Sequence, residues 1–455
     1  MSQARGDRPA PGTVSTVSTA GMAETAGASG MAEPAGVAPA AASGPRIVRS
    51  AVARAEDPDA VAHLARALAG PEGDLAALDL VILYASPRAD FDRLAAEARR
   101  RFAPAAVTGC TTAGELSGQG YDDGAIVAIG LPRSHFRTRL LAVPDLGGYD
   151  AAALRERAIR NRTEMTAETP DWRSEFACLL IDGLSLREDA LTADLAAALG
   201  PVPLFGGSAG DGRDFARTRI LLDGRGVSHA AVLVQVRSRC PVRVFNTDHY
   251  RPRGERMVVT GADPARRVVW EINAEPAAQE YARILGKDPQ QLTTFTFAAH
   301  PVVVRIGGRH HVRSIRQVDD NGDLVFFSAI DEGVVLTLAE PRDMGDHLRA
   351  EMAALGQGPA APDIVLACDC LLRRMEAEEK QKLRELSDIL AHHRVVGFST
   401  YGEQVNSMHV NQTLTGVAIY PPDPAPRGAA QSGATGSGPE GAAPGRAGDT
   451  GRAAP

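Results

Sequence analysis

No run of apolar residues in this 455-residue chain approaches the ~20 needed to span a bilayer. Cysteine is scarce, at five scattered positions, and an odd, dispersed set is not the framework of a disulfide-stapled fold. No C-x-x-C-H occurs, which argues against covalent c-type haem attachment. Positive charge is also short. The net charge of −7 gives no electrostatic footprint for nucleic acid or an anionic membrane. The first thirty residues lack the continuous apolar stretch of a secretory signal, so the chain is expected to be cytoplasmic.

What is present is organised. Residues 1–45 and 422–455 are rich in Ala, Gly, Ser, Thr and Pro and hold too little apolar bulk to offset the entropy of ordering them. Both are expected to be disordered tails around a folded unit of 46–421. Within that unit one pattern occurs three times: an apolar strand, an amphipathic helix, then a second strand ending in glycine, small hydroxyl residues, glycine and a carboxylate. The strands are LVILYAS (80–86), FACLLID (176–182) and DIVLACD (363–369). The endings are VTGCTTAGE (107–115), LFGGSAGD (204–211) and VVGFSTYGE (395–403). A strand–helix–strand unit implies parallel neighbours. Parallel strands deliver their C-terminal ends to one sheet edge, where ligands of α/β folds commonly bind.

The loop residues Gly109, Thr111, Gly114, Glu115, Gly206, Ser208, Asp211, Ser399, Tyr401 and Glu403 are therefore candidates to line a ligand pocket. Glycine permits close backbone approach, and exposed amides can cradle an anion. The alternative reading is that the glycines only turn the chain and the carboxylates cap the turns. None of the three endings is a P-loop or a G-x-G-x-x-G phosphate cradle. Hydroxyls and carboxylates occur without a matched acid–histidine order, so no enzymatic activity is expected.

Taken with VVTGADPARRVVWEINAEPAAQEYARILG (258–286) and IVLACDCLLRR (364–374), these stretches resemble the FIST family of bacterial sensory proteins. The resemblance covers nearly all of 46–421. It implies two mixed α/β domains, FIST N-like over 46–250 and FIST C-like over 251–421. It also implies small-ligand sensing on behalf of a histidine kinase or a cyclic-di-nucleotide enzyme. FNTDHYRPRGERMVVTGADP and YGEQVNSMHVNQT are most similar to a nitric oxide sensing branch that binds haem b through histidine.

Haem requires an axial imidazole in an apolar slot and cations for its propionates. His249 ends an apolar strand beside Tyr250, with Arg251, Arg253 and Arg256 following, and is the first candidate ligand to haem iron. His409, after the third glycine loop, is the second, and His300 before a proline the third. His310 and His311 read as turn or strand-start residues. The pair at 392–393 ends a helix, where cations are favoured. Cys368 and Cys370 are the alternative metal ligands, for zinc or an iron–sulfur cluster completed by Cys110 or a histidine, against the plain reading of small buried hydrophobes. Arg373 and Arg374 read as salt-bridged. The expected function is a haem-dependent nitric oxide sensor. A module for an amino acid-like metabolite and a thiol-based metal or redox sensor are the alternatives.

Overall fold

The computed structural model describes residues 46–422. The expected tail disorder concerns residues outside that range, Pro422 excepted.

The chain begins with β1 (Arg49–Arg54) and α1 (Ala60–Ala69), then β2 (Leu78–Ala85), α2 (Phe91–Phe102) and β3 (Ala106–Thr111). A short hairpin of β4 (Glu115–Ser117) and β5 (Gly120–Asp122) leads to β6 (Ala125–Pro132). The second unit repeats the plan. It has β7 (Phe136–Val143), α3 (Ala151–Glu168), β8 (Ser174–Asp182), α4 (Glu188–Leu199), β9 (Leu204–Ala209), hairpin β10 (Ile220–Leu222) and β11 (Arg225–Val227), and β12 (Ala231–Ser238). The third opens with β13 (Val242–Thr247) and is interrupted by an insertion. Here lie β14 (Tyr250–Asp263), β15 (Val268–Ile272), β16 (Glu275–Pro276), α5 (Ala277–Leu285), α6 (Thr294–Ala299), β17 (Val302–Ile306), β18 (Arg309–Arg313), β19 (Ile315–Val318), β20 (Leu324–Phe326) and β21 (Val335–Pro341). The unit resumes with α7 (Met344–Leu355), β22 (Ile364–Cys370), α8 (Leu371–Glu379), α9 (Leu383–His392) and β23 (Val395–Thr400). Hairpin β24 (Glu403–Val405) and β25 (Met408–Val410) precedes β26 (Leu414–Ile419).

The expected parallel pairs are present: β2 with β3, β8 with β9 and β22 with β23. Each lies in a six-stranded sheet, in the orders β1-β6-β2-β3-β10-β11, β7-β12-β8-β9-β24-β25 and β13-β26-β22-β23-β4-β5. The last two strands of every sheet come from another unit. The second unit lends its hairpin to the first sheet, the third to the second, and the first to the third. The exchange closes into a ring. Residue 250, where a domain boundary was expected, is where the chain leaves the third sheet through β13 and enters the eight-stranded insertion at β14.

Alternating side chains explain the layers. One face of each sheet enters a shared core, represented by Ile82 and Tyr84 of β2, Cys178 and Leu180 of β8, and Leu366 and Cys368 of β22. Tyr84 stacks on Phe398 across this core at 4.4 Å. The other face is covered by helices: α1 and α2, then α3 and α4, then α7 and α9. The helices obey the sequence periodicity. In α2, Phe91, Leu94, Ala95, Ala98 and Phe102 are buried on one stripe, and the Asp90 carboxylate accepts the Arg93 amide at 3.1 Å as the N-cap. The insertion has its own core around Met257, Tyr281, Phe297 and Leu336.

One glycine in each parallel pair is required by close approach. A Cβ on Gly109, Gly206 or Gly397 would lie 2.0, 2.3 or 1.8 Å from the carbonyl oxygen of Leu83, Leu179 or Ala367 on the neighbouring strand. Gly397→Ala should therefore destabilise the protein by about 3 kcal/mol or more, as overpacking against backbone that cannot yield. Gly358→Ala, whose nearest neighbour is 3.8 Å away, should stay within about 0.5 kcal/mol of wild type. Urea denaturation of both variants measures the difference, and equal midpoints would refute the packing account.

Candidate functional site

The three glycine loops meet, and they bind one another. The Ala113 amide donates to the Ser399 carbonyl at 2.9 Å and the Ser399 amide to Gly114 at 2.7 Å. Ser208 donates to Gly402 at 2.8 Å and Tyr401 to Ser208 at 3.2 Å, while Gly210 donates to Thr111 at 3.1 Å. The amides of Ala113, Ser208, Gly210, Ser399 and Tyr401 are thus spent on neighbouring loops.

The loop carboxylates also face inward. Glu115 accepts from the Thr112 hydroxyl and, at 3.0 Å, from the Ala125 amide. Glu403 repeats this with the Thr400 hydroxyl, the Thr413 hydroxyl at 2.8 Å and the Thr413 amide at 3.3 Å. Burial pushes Glu115 up to about 7 and Glu403 up to about 8, against the pull of those hydrogen bonds. Asp211 accepts from the amides of Ala216 and Arg217 at 2.9 and 2.6 Å and from the Tyr401 hydroxyl. The Thr111 hydroxyl accepts the Arg219 amide at 3.0 Å. Residues 206–210 have the spacing G-x-S-x-G, but Ser208 lies within β9 rather than on a strand-to-helix turn, and its Oγ accepts from the Gln404 amide at 2.9 Å.

A second polar centre lies where β22 runs into α8. Helix α8 is unusual in burying Arg373, Arg374 and Glu376 together with its apolar residues. Arg373, Glu376 and Lys380 are spaced by three and four residues along α8 and its C-cap, so they share one side of the helix, and Asp369 at the end of β22 lies against Arg373. His249 and Tyr250, at the start of β14, close over them. His249 Nε2 lies 3.0 Å from a Glu376 oxygen, and the Tyr250 hydroxyl donates to the same carboxylate. Lys380 Nζ reaches Glu376 from the solvent side, and Gln412 Nε2 donates to the Tyr250 hydroxyl at 2.7 Å. Burial alone would raise Glu376, yet hydrogen bonds from His249, Lys380 and Tyr250 bring it down to about 2. Burial lowers His249, and it lowers the nearby His347 to about 4 with help from Arg373 and His249.

This centre is incompletely satisfied. His249 Nδ1, Asp369 Oδ1 and Arg373 Nη1 are buried without a hydrogen-bond partner. Arg373 Nε lies 3.3 Å from Asp369 Oδ1, near enough for an ion pair but not aligned as a hydrogen bond, and the other Asp369 oxygen accepts from Tyr121. Asp369 is raised by burial, against the pull of Arg373 and Tyr121. Buried polar atoms of this kind are uncommon and costly, and three within electrostatic reach of one another make this centre a candidate place for a further polar partner, an ordered water or a ligand.

Of the sequence candidates, His249 and Tyr250 come together, whereas Arg251 points away and pairs with Glu340 at 2.6 Å on the surface. His409 is buried elsewhere, its Nδ1 3.1 Å from Gln404 Nε2 and its ring against Gly402. Cys368 and Cys370 are buried free thiols, pushed well up by burial. They sit two apart on one face of β22 but in different clusters. Among the described residues no three His, Cys, Asp or Glu side chains are grouped to hold a metal ion. Arg373 and Arg374 are ion-paired, as expected, with Asp369 and Asp123.

For haem, the donor set and the surroundings point in different directions. A metal-ligating histidine commonly presents one nitrogen to the metal and donates the other to a carboxylate, which is the arrangement of His249 with Glu376. The groups about that imidazole, however, are Tyr250, Glu376, His347, Arg373 and Lys380, which do not make the apolar slot a macrocycle needs. In this conformation the residues do not fit haem.

A FIST N domain family model matches residues 79–275, and a FIST C domain model matches residues 277–406. No curated protein matches the sequence. Similar solved structures include a cyanuric acid hydrolase from A. caulinodans, 11% identical, with a TM-score of 0.34 over 82% of this chain and 99% of that one. That likeness is too distant to carry an argument.

Glu115 and Glu403 hold their protons more tightly folded than unfolded. Their stabilisation is complete below the ordinary carboxylate value of 4.5 and is lost as pH rises towards 8. Glu376 has the opposite sign, stabilising above 4.5 and losing that as pH falls towards 2. The urea midpoint should therefore fall between pH 5 and pH 8. The fall should shrink in Glu115→Gln/Glu403→Gln, and an undiminished slope in that variant would assign it elsewhere.

Proposed function

The chain belongs to the FIST family, and from that premise we propose that it is a ligand-binding sensory protein whose ligand is a small polar metabolite of amino acid type. The supporting observation is the set of unpartnered buried atoms on Asp369, Arg373 and His249. An anionic group would complete Arg373 Nη1, and a donor would complete Asp369 Oδ1. Such a ligand carries both. The centre is enclosed between α8 of the third unit and β14 of the insertion, so entry requires those elements to part. A ligand held there biases the equilibrium between open and closed forms by its unequal affinity for the two. That change is passed on to a histidine kinase or a cyclic-di-nucleotide enzyme.

A second reading keeps haem b on His249, with nitric oxide as the signal. Its support is the free Nδ1 opposite a carboxylate-bound Nε2. It requires the same parting of β14 from α8, to make room for the macrocycle. Haem iron would supply a site for a diatomic gas, while Glu376 would orient the imidazole through Nε2.

Thermal unfolding in the presence of each common amino acid, beside a haem absorption titration, separates the two. The metabolite reading expects one ligand to raise Tm by about 2 °C or more. The rise should vanish in Asp369→Asn/Arg373→Met, which removes both charges together and leaves neither uncompensated. A saturable Soret band lost in His249→Ala, with no amino acid response, would transfer the assignment to haem. Failure of both responses would remove this centre as the ligand site.

A further inference from the structure

We propose that a groove on the inserted sheet, directly following Tyr250 along β14, is a docking surface for an acidic segment of a partner protein. The groove holds about 750 Å³ and is walled by Arg256, Arg305, His310, Ile306 and Val335. Its arginines differ from their neighbours. Arg251 and Arg253 are matched by Glu340 and Glu255, whereas among the described residues Arg256 and Arg305 have no carboxylate within salt-bridge distance. The chain as a whole carries a net charge of −7, and the unpaired arginines of the groove attract an acidic partner at this face.

The groove is also apolar. Ile306 and Val335 are 43% and 45% exposed, with Val258 alongside Val335 at 40%. A groove with unpaired arginines beside exposed aliphatics matches a segment that alternates carboxylates with apolar side chains. At about 750 Å³ it has room for several side chains, which suits a chain segment better than a free anion.

The surface is continuous with the buried centre. Between Pro252 and Arg256 the pairing of β14 with β21 slips, and of the three residues in that bulge Arg253 and Gly254 line the groove. Three residues before that bulge, the Tyr250 hydroxyl meets Glu376 and Gln412. A shift of Tyr250 on ligand binding would thus move the wall of the groove. The proposal rests on the sensory reading only for the existence of a partner.

The test uses the full chain and a fluorescein-labelled peptide of alternating glutamate and leucine, followed by anisotropy without added metabolite or haem. Binding should be saturable and weakened by salt. In Arg256→Glu/Arg305→Glu it should be weakened about tenfold or more. It should be unchanged in Arg101→Glu/Arg157→Glu, an equal charge change at exposed sites outside the groove. Equal binding by the groove variant, or equal binding of a lysine–leucine peptide, would overturn the proposal. So would a dimer in sedimentation that the groove variant converts to monomer, because the occupant would then be a second copy. Peptide binding lost with the amino acid response intact, or the reverse, tells failure of this surface from failure of the ligand site.

Discussion

Everything in this fold hangs on the place where three strand ends converge. The loops after β3, β9 and β23 satisfy each other's amides and carbonyls, so each depends on the other two for groups that burial would otherwise leave unpaired. Close approach makes this possible. Glycine at 109, 206 and 397 lets the second strand of each pair lie against the carbonyl of the first without a Cβ in the way. Amides used in this way are not free to cradle an anion. The loops hold the three sheets in register, and the unpartnered buried groups of His249, Asp369 and Arg373 lie to the side, where α8 meets the insertion.

That displacement explains the buried charge on α8. A helix carrying two arginines and three glutamates would ordinarily sit in water. Here the insertion covers it, and burying charge costs several kcal/mol per ion unless it is matched. Glu376 is matched three times over, by His249, Tyr250 and Lys380. Asp369 and Arg373 are matched only in part. The difference lies within eight residues running from the end of β22 into α8, which places a firm anchor beside an unsatisfied pair.

The architecture was legible from periodicity. Three apolar strands each followed by an amphipathic helix specify three parallel pairs, because buried parallel strands and helical stripes have distinct repeats. The ring of exchanged hairpins was not legible, since strands of three residues carry too little pattern to show their partner. At the site, His249 and Tyr250 stood out by type, and their burial came from the insertion folding back. Glu376 and Asp369 escaped notice for a physical reason. Alternating charges at helical spacing usually mark a solvated face. Only tertiary cover turns the same spacing into a buried centre. The arginines after Tyr250 misled in the opposite sense, because a bulged strand directs them to the surface.

The hairpin ring has a consequence for synthesis. The β4–β5 hairpin finds its strand only when Phe398 exists to pair with Glu115, roughly 280 residues later along the chain. At ribosomal rates the hairpin waits on the order of tens of seconds with an unsatisfied edge. The first sheet is likewise unfinished until the second unit emerges, and the second until the third does. No unit completes its sheet from its own strands alone. The nascent chain must remain open-edged until its last hairpin is made, and it is during that interval that a holding chaperone would matter most.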